Sequence, residues 1–365
     1  MAAKNASAQG FSKEEKENMA VWLVGPKTLQ IQPYNLPSLG PEDARIRIKA
    51  VGICGTDVHF FKELKIGDYI VKKPIVPCHE CAGIVEEVGA GVKHLSPGDR
   101  VAIEPSIGCW QCHSCRQGRY NICPELKFFS IPPVNGVLAN RIVHPAKNCF
   151  KLPDTLTLEE GALCEPLSCA IHACRRANIG VETNVLIVGA GPIGLLTMLA
   201  ARAFGSPRIV VLDIEDSHLE VAKNLGADGV VKVSTNIDDV EKEVEKIKDA
   251  MGARIDVSFD CVGLSKTIST SLQATTSGGR VCLVGLGHAN MTAPLTGNVA
   301  IREVDLVGTF TYTNTWPLAI ELIRSGKIDV KALITHRFGF SQKEAQEAFE
   351  TSAYDGNAIK VMFNL

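Results

Sequence analysis

Asn184-Val185-Leu186-Ile187-Val188-Gly189-Ala190-Gly191-Pro192-Ile193-Gly194 is the stretch on which the fold turns. Five residues that alternate poorly but are almost all apolar read as a strand buried on both faces. Glycines then fall at the first, third and sixth places of a turn, and Leu195–Phe204 continues with helical spacing of apolar side chains. The first glycine permits a tight turn, the second lets backbone approach a pyrophosphate, and the third allows helix and strand to pack closely. The helix start adds free N–H groups and the positive end of a dipole. A glycine turn alone is weak evidence, so the next strand matters: it ends on Asp213, where a carboxylate can accept from an adenosine ribose and repel a 2′-phosphate. NAD is therefore expected over NADP, with His218 close enough in sequence to offset the acid if protonated.

Downstream, apolar strands and amphipathic helices alternate, with strands at Asn184–Val188, Arg208–Asp213, Gly229–Lys232, Val257–Cys261, Arg280–Gly285 and Asp305–Gly308. Six such strands make a doubly wound α/β dinucleotide-binding sheet. Upstream, from about Ala20 to Phe150, short β-like runs punctuated by Gly and Pro (Ala44–Val51, Gly83–Val88, Arg100–Ile103) predict an irregular, mostly β domain. Helical spacing covers Glu159–Asn178. Beyond Trp316 come a helix, a β segment at Ile334–Phe340, a helix near Gln342–Thr351 and a strand at Ala358–Phe363, expected to return to the first domain. The predicted division is a flexible tail at 1–19, a catalytic domain at 20–170, a Rossmann domain at 171–312 and a return to the catalytic domain at 313–365. The Lys/Glu-rich stretch Asp238–Asp249 reads as a solvated helix face.

Composition fits two globular domains: 365 residues, 45% hydrophobic and 21% charged. With 38 Lys+Arg against 40 Asp+Glu, the net charge of -2 gives no basic field to attract nucleic acid or anionic lipid. No apolar run has the length of a membrane span, and the polar start lacks a secretory h-region, so a cytoplasmic location is expected. Of the 13 Cys, Cys109, Cys112, Cys115 and Cys123 form C-x2-C-x2-C-x7-C. Four thiolates so spaced can close a tetrahedron around zinc with no vacant position, a structural site. Disulfides suit a reducing compartment poorly, and nothing nearby calls for an iron–sulfur cluster. A second, dispersed set comprises Cys54, the pair His79-Glu80, and Glu165. One soft and several harder ligands suit a catalytic zinc that keeps an open coordination position.

Gly52–His59, His79-Glu80-Cys81-Ala82-Gly83, the four-Cys segment, Cys164–Ala177 and Gly189–Gly194 together resemble the zinc-dependent medium-chain dehydrogenases, in family order and over nearly the whole chain after Ala20. The branch it resembles is the plant-type sorbitol (polyol) dehydrogenases, including relatives that oxidise L-idonate. The resemblance implies a GroES-like catalytic domain joined to the Rossmann domain, two zinc ions per chain, NAD, and a homotetramer or dimer with Val299–Thr311 as its edge. It further implies that Cys54, His79 and Glu80 hold the catalytic zinc, that Glu165 holds or exchanges with a water there, and that Thr56, continued by His59, relays the proton. Gly189, Gly191, Ile193, Gly194, Asp213, His218, Val284, Gly285, Leu286, Phe310 and Thr311 would contact the cofactor; Phe60, Phe128, Thr311 and Tyr312 would line the substrate.

This chain departs from that pattern at three places. Phe60 stands where Tyr is common, Thr311 stands where Arg is common in Phe310-Thr311-Tyr312, and Cys78 stands where Gly usually precedes His-Glu. The first two remove polar reach toward a hydroxyl-rich substrate, each unpaired hydroxyl costing ~1–3 kcal/mol. Zinc and NAD chemistry on a secondary alcohol or ketone is the expectation, with sorbitol, xylitol or L-idonate as substrate. The same chemistry on a less polar metabolite stays open, to be separated by an alcohol panel, as does a non-catalytic zinc- and NAD-binding protein, to be separated by metal stoichiometry.

Overall fold

A computed structural model describes residues 18–287 and 290–365; most of the tail expected at 1–19 lies outside the described residues. Met19 does not belong to a tail, because it opens the strand Met19–Gly25 and pairs with Pro33 across an antiparallel ladder.

The second half is built on a six-stranded parallel sheet in the order Gly229–Lys232, Ile209–Asp213, Val185–Val188, Val257–Asp260, Arg280–Leu283, Asp305–Gly308. All six strands lie within a residue or two of the expected ones. Val185–Val188 is buried throughout, as a strand covered on both faces must be. The strand order reverses beside it, so the crevice outside its carboxyl end is where a doubly wound sheet takes a ligand.

The first half is a seven-stranded sheet in which Cys149–Lys151, Arg100–Ile103, Glu80–Val88, Asp43–Gly52, Lys360–Asn364 and Ile334–Phe338 follow one another, while Arg141–Pro145 also pairs with Asp43–Gly52. The last strand of the chain thus lies directly beside Asp43–Gly52, whose other neighbour is Glu80–Val88. Two extended apolar clusters fill the halves, and Cys164–Ala177, the longer of the two helices between them, is buried along most of its length. Glu159–Asn178 is not one helix but two, Leu158–Ala162 and Cys164–Ala177, with Leu163 serving as C-cap of one and N-cap of the next. The helix Val240–Met251 is less solvated than its charges suggest, because Glu243 is buried against Lys266 at 2.8 Å. Among the described residues no helix is long and apolar enough to cross a membrane.

Candidate active site

Gly189 has φ +98, a left-handed backbone that favours glycine, and a Cβ on Gly194 would stand 1.8 Å from the Gly189 carbonyl oxygen. A Cβ on Gly191 would meet nothing within 4 Å, which leaves its backbone open to a ligand. Gly191 is the N-cap and Pro192 takes the first helical position, so the helix runs Pro192–Ala203 and starts three residues earlier than Leu195. Proline fits there because its missing N–H would have had no intrahelical partner.

Asp213 ends its strand beside this turn. Its carboxylate accepts from Ala190 N–H at 2.6 Å and Glu215 N–H at 2.9 Å, and His218 Nδ1 lies 3.9 Å away. Burial pushes the Asp213 carboxyl upward, but the His218 ring and the two N–H groups outweigh it and hold it below the usual range. His218 is in turn raised by Asp213. Val284 and Gly285 follow the fifth strand and donate to the Asp260 carbonyl; Leu286 is exposed. Phe310 and Thr311 follow the sixth, so all of these stand outside the carboxyl end of the sheet. Thr311 holds φ +44, and its buried Oγ1 has no hydrogen-bond partner.

Cys54, His79 and Glu80 present one ligand atom each within 4.8 Å of one another. Cys54 caps the helix Gly55–Glu63, while His79 and Glu80 lead into and begin the strand Glu80–Val88. Gly52 pairs with Glu80, and a Cβ on Gly52 would lie 2.1 Å from a Glu80 carboxylate oxygen. The glycine before Cys54 therefore makes room for a ligand on the next strand. Asp57 ties the two loops together, accepting from Cys54 N–H at 3.1 Å and Cys78 N–H at 2.8 Å while fully buried. His79 Nδ1 is engaged by Ser130 Oγ at 2.7 Å, which orients the ring and leaves Nε2 as the nitrogen to bind a metal. Lys360, buried on the last strand, donates to both oxygens of Glu80 at 2.7 and 2.8 Å and to the Ile53 carbonyl at 2.9 Å.

Burial, and then the charge of Glu80, push the Cys54 thiol up to about 12. A thiolate forms there only with a cation to offset that cost, and thiolate, imidazole and carboxylate are the donor set zinc takes. Glu165 is not in the converging set. It sits buried on Cys164–Ala177, raised to about 8 by burial, with His79 lowering it and Glu80 and Cys54 raising it. Phe128 approaches His79 edge-on with ring centroids 5.3 Å apart, and lies 6.5 Å from the Tyr312 ring. Tyr312 is fully buried with an unpartnered hydroxyl. Phe60 is buried in the apolar cluster of the first half, Thr56 is half-buried, and His59 is exposed one helical turn further on. Cys78 holds φ +71, the conformation for which glycine is suited, and its side chain packs into the core.

Cys109, Cys112, Cys115 and Cys123 likewise bring their four sulfurs within 4.8 Å. Backbone N–H groups of Cys109, Cys112, Cys115 and Glu125 point at these sulfurs at 3.3–3.4 Å. N–H groups of Gln111 and Cys112 bring the Cys109 thiol down to about 7. A full set of four thiolates is the closed site of a structural zinc.

Asp57, Ser130 and Lys360 were missed by sequence reasoning as functional residues. Asp57 had a signal, standing three residues after the N-cap Cys54, where a carboxylate can reach back to the cap N–H. Lys360 is a charge inside an apolar strand, which asks for a buried partner. Ser130 has no local signal.

A glycine turn at the switch point of a parallel sheet, beside a thiolate–imidazole–carboxylate donor set, defines a metal-dependent dehydrogenase linked to a dinucleotide. The chain belongs to the zinc-dependent medium-chain dehydrogenases: residues 40–154 match the alcohol dehydrogenase GroES-like domain and residues 192–325 the zinc-binding dehydrogenase domain. It is 65% identical over 363 residues to a sorbitol dehydrogenase of Arabidopsis thaliana, covering 99% of this chain and 100% of the relative. It is 66% identical over 350 residues to an L-idonate 5-dehydrogenase of Vitis vinifera, covering 96% and 95%. The solved structure of L-idonate 5-dehydrogenase from Escherichia coli superposes with a TM-score of 0.84 at 28% identity, covering 96% of this chain and 98% of that one.

Proposed function

We propose that the protein transfers hydride between NAD(H) and a secondary alcohol or ketone of a polyol or sugar acid, sorbitol and L-idonate being the substrates its relatives are named for and xylitol a further polyol of the same class. The observation that carries this is the convergence of Cys54, His79 and Glu80 on one point, with the Phe128 ring edge-on to His79 and next to the Tyr312 ring. Zinc bound by these three side chains supplies the Lewis acidity that eases removal of an alcohol proton, and NAD supplies the hydride acceptor. Thr56 takes that proton on a hydroxyl able to accept and donate at once. His59, three residues on and on the same helical face, hands it to solvent. Phe128 and Tyr312 wall the site, so the reacting carbinol meets an aromatic surface and one hydroxyl. Asp213 selects NAD by disfavouring a 2′-phosphate.

Phe60 and Thr311 lack the polar reach of the residues they replace, and Tyr312 with Thr311 Oγ1 is left to recognise substrate hydroxyls. The thiol-rich donor sets require a reducing compartment, which supports the cytosol. The outermost strand Asp305–Gly308, with Leu306 and Ile301 exposed, supports assembly of a homo-oligomer along the cofactor domain.

The test is one panel: NAD and NADP with sorbitol, xylitol, L-idonate and small aliphatic and cyclic alcohols, beside zinc quantification. Two zinc ions per chain and NAD reduction by a polyol or by L-idonate are the expected outcome. Activity confined to the less hydroxylated alcohols would overturn the substrate class, and a single zinc retained in Cys54→Ala would overturn the enzyme reading.

A further inference from the structure

The four-cysteine lobe, residues 108–126, is an excursion between two short strands, Ser106–Ile107 and Lys127–Phe128, which pair with each other at its base. One of these base residues is Phe128, whose ring meets both His79 and Tyr312. The lobe also touches the chain from its flank. Asn121 Nδ2 donates to the Phe310 carbonyl at 2.6 Å, Asn314 N–H donates to the Tyr120 hydroxyl at 2.9 Å, and Asn314 Nδ2 donates to the Gly118 carbonyl at 3.2 Å. Gly118, Tyr120 and Asn121 all lie between Cys115 and Cys123. The Tyr120 hydroxyl in turn donates to buried Glu104 at 2.7 Å, on the run that leads into Ser106–Ile107. The lobe therefore grips residues 310–314 on both sides of Thr311 and Tyr312.

That segment needs a grip. Thr311 and Asn314 both hold left-handed backbone, with φ +44 and +51. Conformations of this kind persist only where surrounding contacts over-determine them. A fold-stabilising zinc site would be complete with a loop that touched nothing else, whereas this one spends three hydrogen bonds on a stretch nearly two hundred residues away.

We propose that the lobe is a positioning element for hydride transfer: Asn121 and Tyr120 hold residues 310–314 in the conformation that sets Phe310 and Thr311 against the cofactor and Thr311 and Tyr312 against the substrate. This rests on the cofactor contacts that the resemblance implies for Phe310 and Thr311 and on the substrate contacts proposed above for Thr311 and Tyr312. Asn121 and Tyr120 are positioning residues and touch neither ligand themselves.

The test compares Asn121→Ala, Tyr120→Phe and Thr311→Ala with wild type in four measurements: zinc per chain, thermal midpoint, NADH affinity by fluorescence titration, and the split of KM against kcat for the alcohol that wild type turns over fastest. Losing a partly buried hydrogen bond leads us to expect NADH affinity and KM to worsen on the order of tenfold in Asn121→Ala, with both zinc ions retained and kcat changed less than KM. Tyr120→Phe follows in the same direction. A lower thermal midpoint with NADH affinity and KM unchanged, while Thr311→Ala worsens both, would overturn the positioning role and leave the ligand contacts standing. No effect in Thr311→Ala would overturn those contacts themselves. Should Asn121→Ala lose zinc or fail to fold, Asn314→Gly carries the same test. It removes the bond to Gly118, suits the left-handed backbone and keeps the N–H that reaches Tyr120. It should weaken NADH affinity several-fold, and wild-type affinity in it together with wild-type affinity in Tyr120→Phe overturns the proposal.

Discussion

Replacing Lys360 by Met isolates the electrostatics of the donor set. The ammonium and the Glu80 carboxylate are 2% and 1% exposed, and both carboxylate oxygens are engaged at 2.7 and 2.8 Å. Burial alone would lower the Lys360 ammonium, yet Glu80 and Cys54 carry it above its ordinary value. A raised lysine contributes stability that is fully present below the unfolded value of ~10.4 and lost only as pH climbs through the folded one, so neutral pH sees the whole effect. Met keeps most of the stem volume and removes the charge, leaving a buried carboxylate without a counter-ion and the Ile53 carbonyl without its donor. Breaking a buried pair in this way costs about 3–5 kcal/mol. Metal-stripped Lys360→Met should unfold in urea with a stability lower by that amount. A divalent cation restores the missing positive charge at Glu80, so zinc should stabilise the variant by more than it stabilises wild type. Each protein gains the mass-action term, about 2.7 kcal/mol at a hundred times its dissociation constant, so at one zinc concentration the larger gain of the variant reads out as a smaller dissociation constant. A stripped variant within 1 kcal/mol of stripped wild type would refute this account, as would equal zinc stabilisation of the two proteins.

Three further outcomes follow from the same geometry. Ser130→Ala frees His79 Nδ1, and loss of such an orienting bond should weaken zinc at the Cys54 site about 10–100-fold in chelator competition while the four-cysteine site is unaffected. Asp213→Ala removes the acceptor of Ala190 and Glu215 N–H, so kcat/KM with NAD should fall and the NAD-to-NADP ratio should narrow; an unchanged ratio would show that Asp213 does not select the cofactor. Glu104 is pushed by burial up to about 7 from 4.5, with Tyr120 opposing the shift. Between those values the folded protein keeps a proton the unfolded chain has released, so stability falls by about 3 kcal/mol as pH rises through the window. Glu104→Gln has no charge to bury, and its urea stability relative to wild type should increase between pH 5 and pH 8; parallel pH profiles would contradict the shift.

The dinucleotide half was legible because its signals are local. Val185–Val188 is apolar, the glycine turn follows at once, and Asp213 closes the next strand, all within one short window. Errors there concern boundaries, as at Pro192, where the start of a helix depends on which residue caps it. The donor set was legible by residue type, since Cys54 and His79-Glu80 are chemically conspicuous. What holds it was not. Lys360 reaches Glu80 across 280 positions, and Ser130 reaches His79 across 51, pairings that sheet register and loop path create and that no periodicity encodes. The same applies to Glu243, which looks solvated on its own helix and becomes buried only because Lys266 arrives from the next one.

The placement of Lys360 on the final strand also sets an order of events during synthesis. All four sulfurs of the lobe exist once residue 123 has left the ribosome, whereas Glu80 waits for its counter-charge until residue 360 has followed. A nascent chain can therefore gather its structural thiols early, with the catalytic pocket maturing only once Lys360 has emerged.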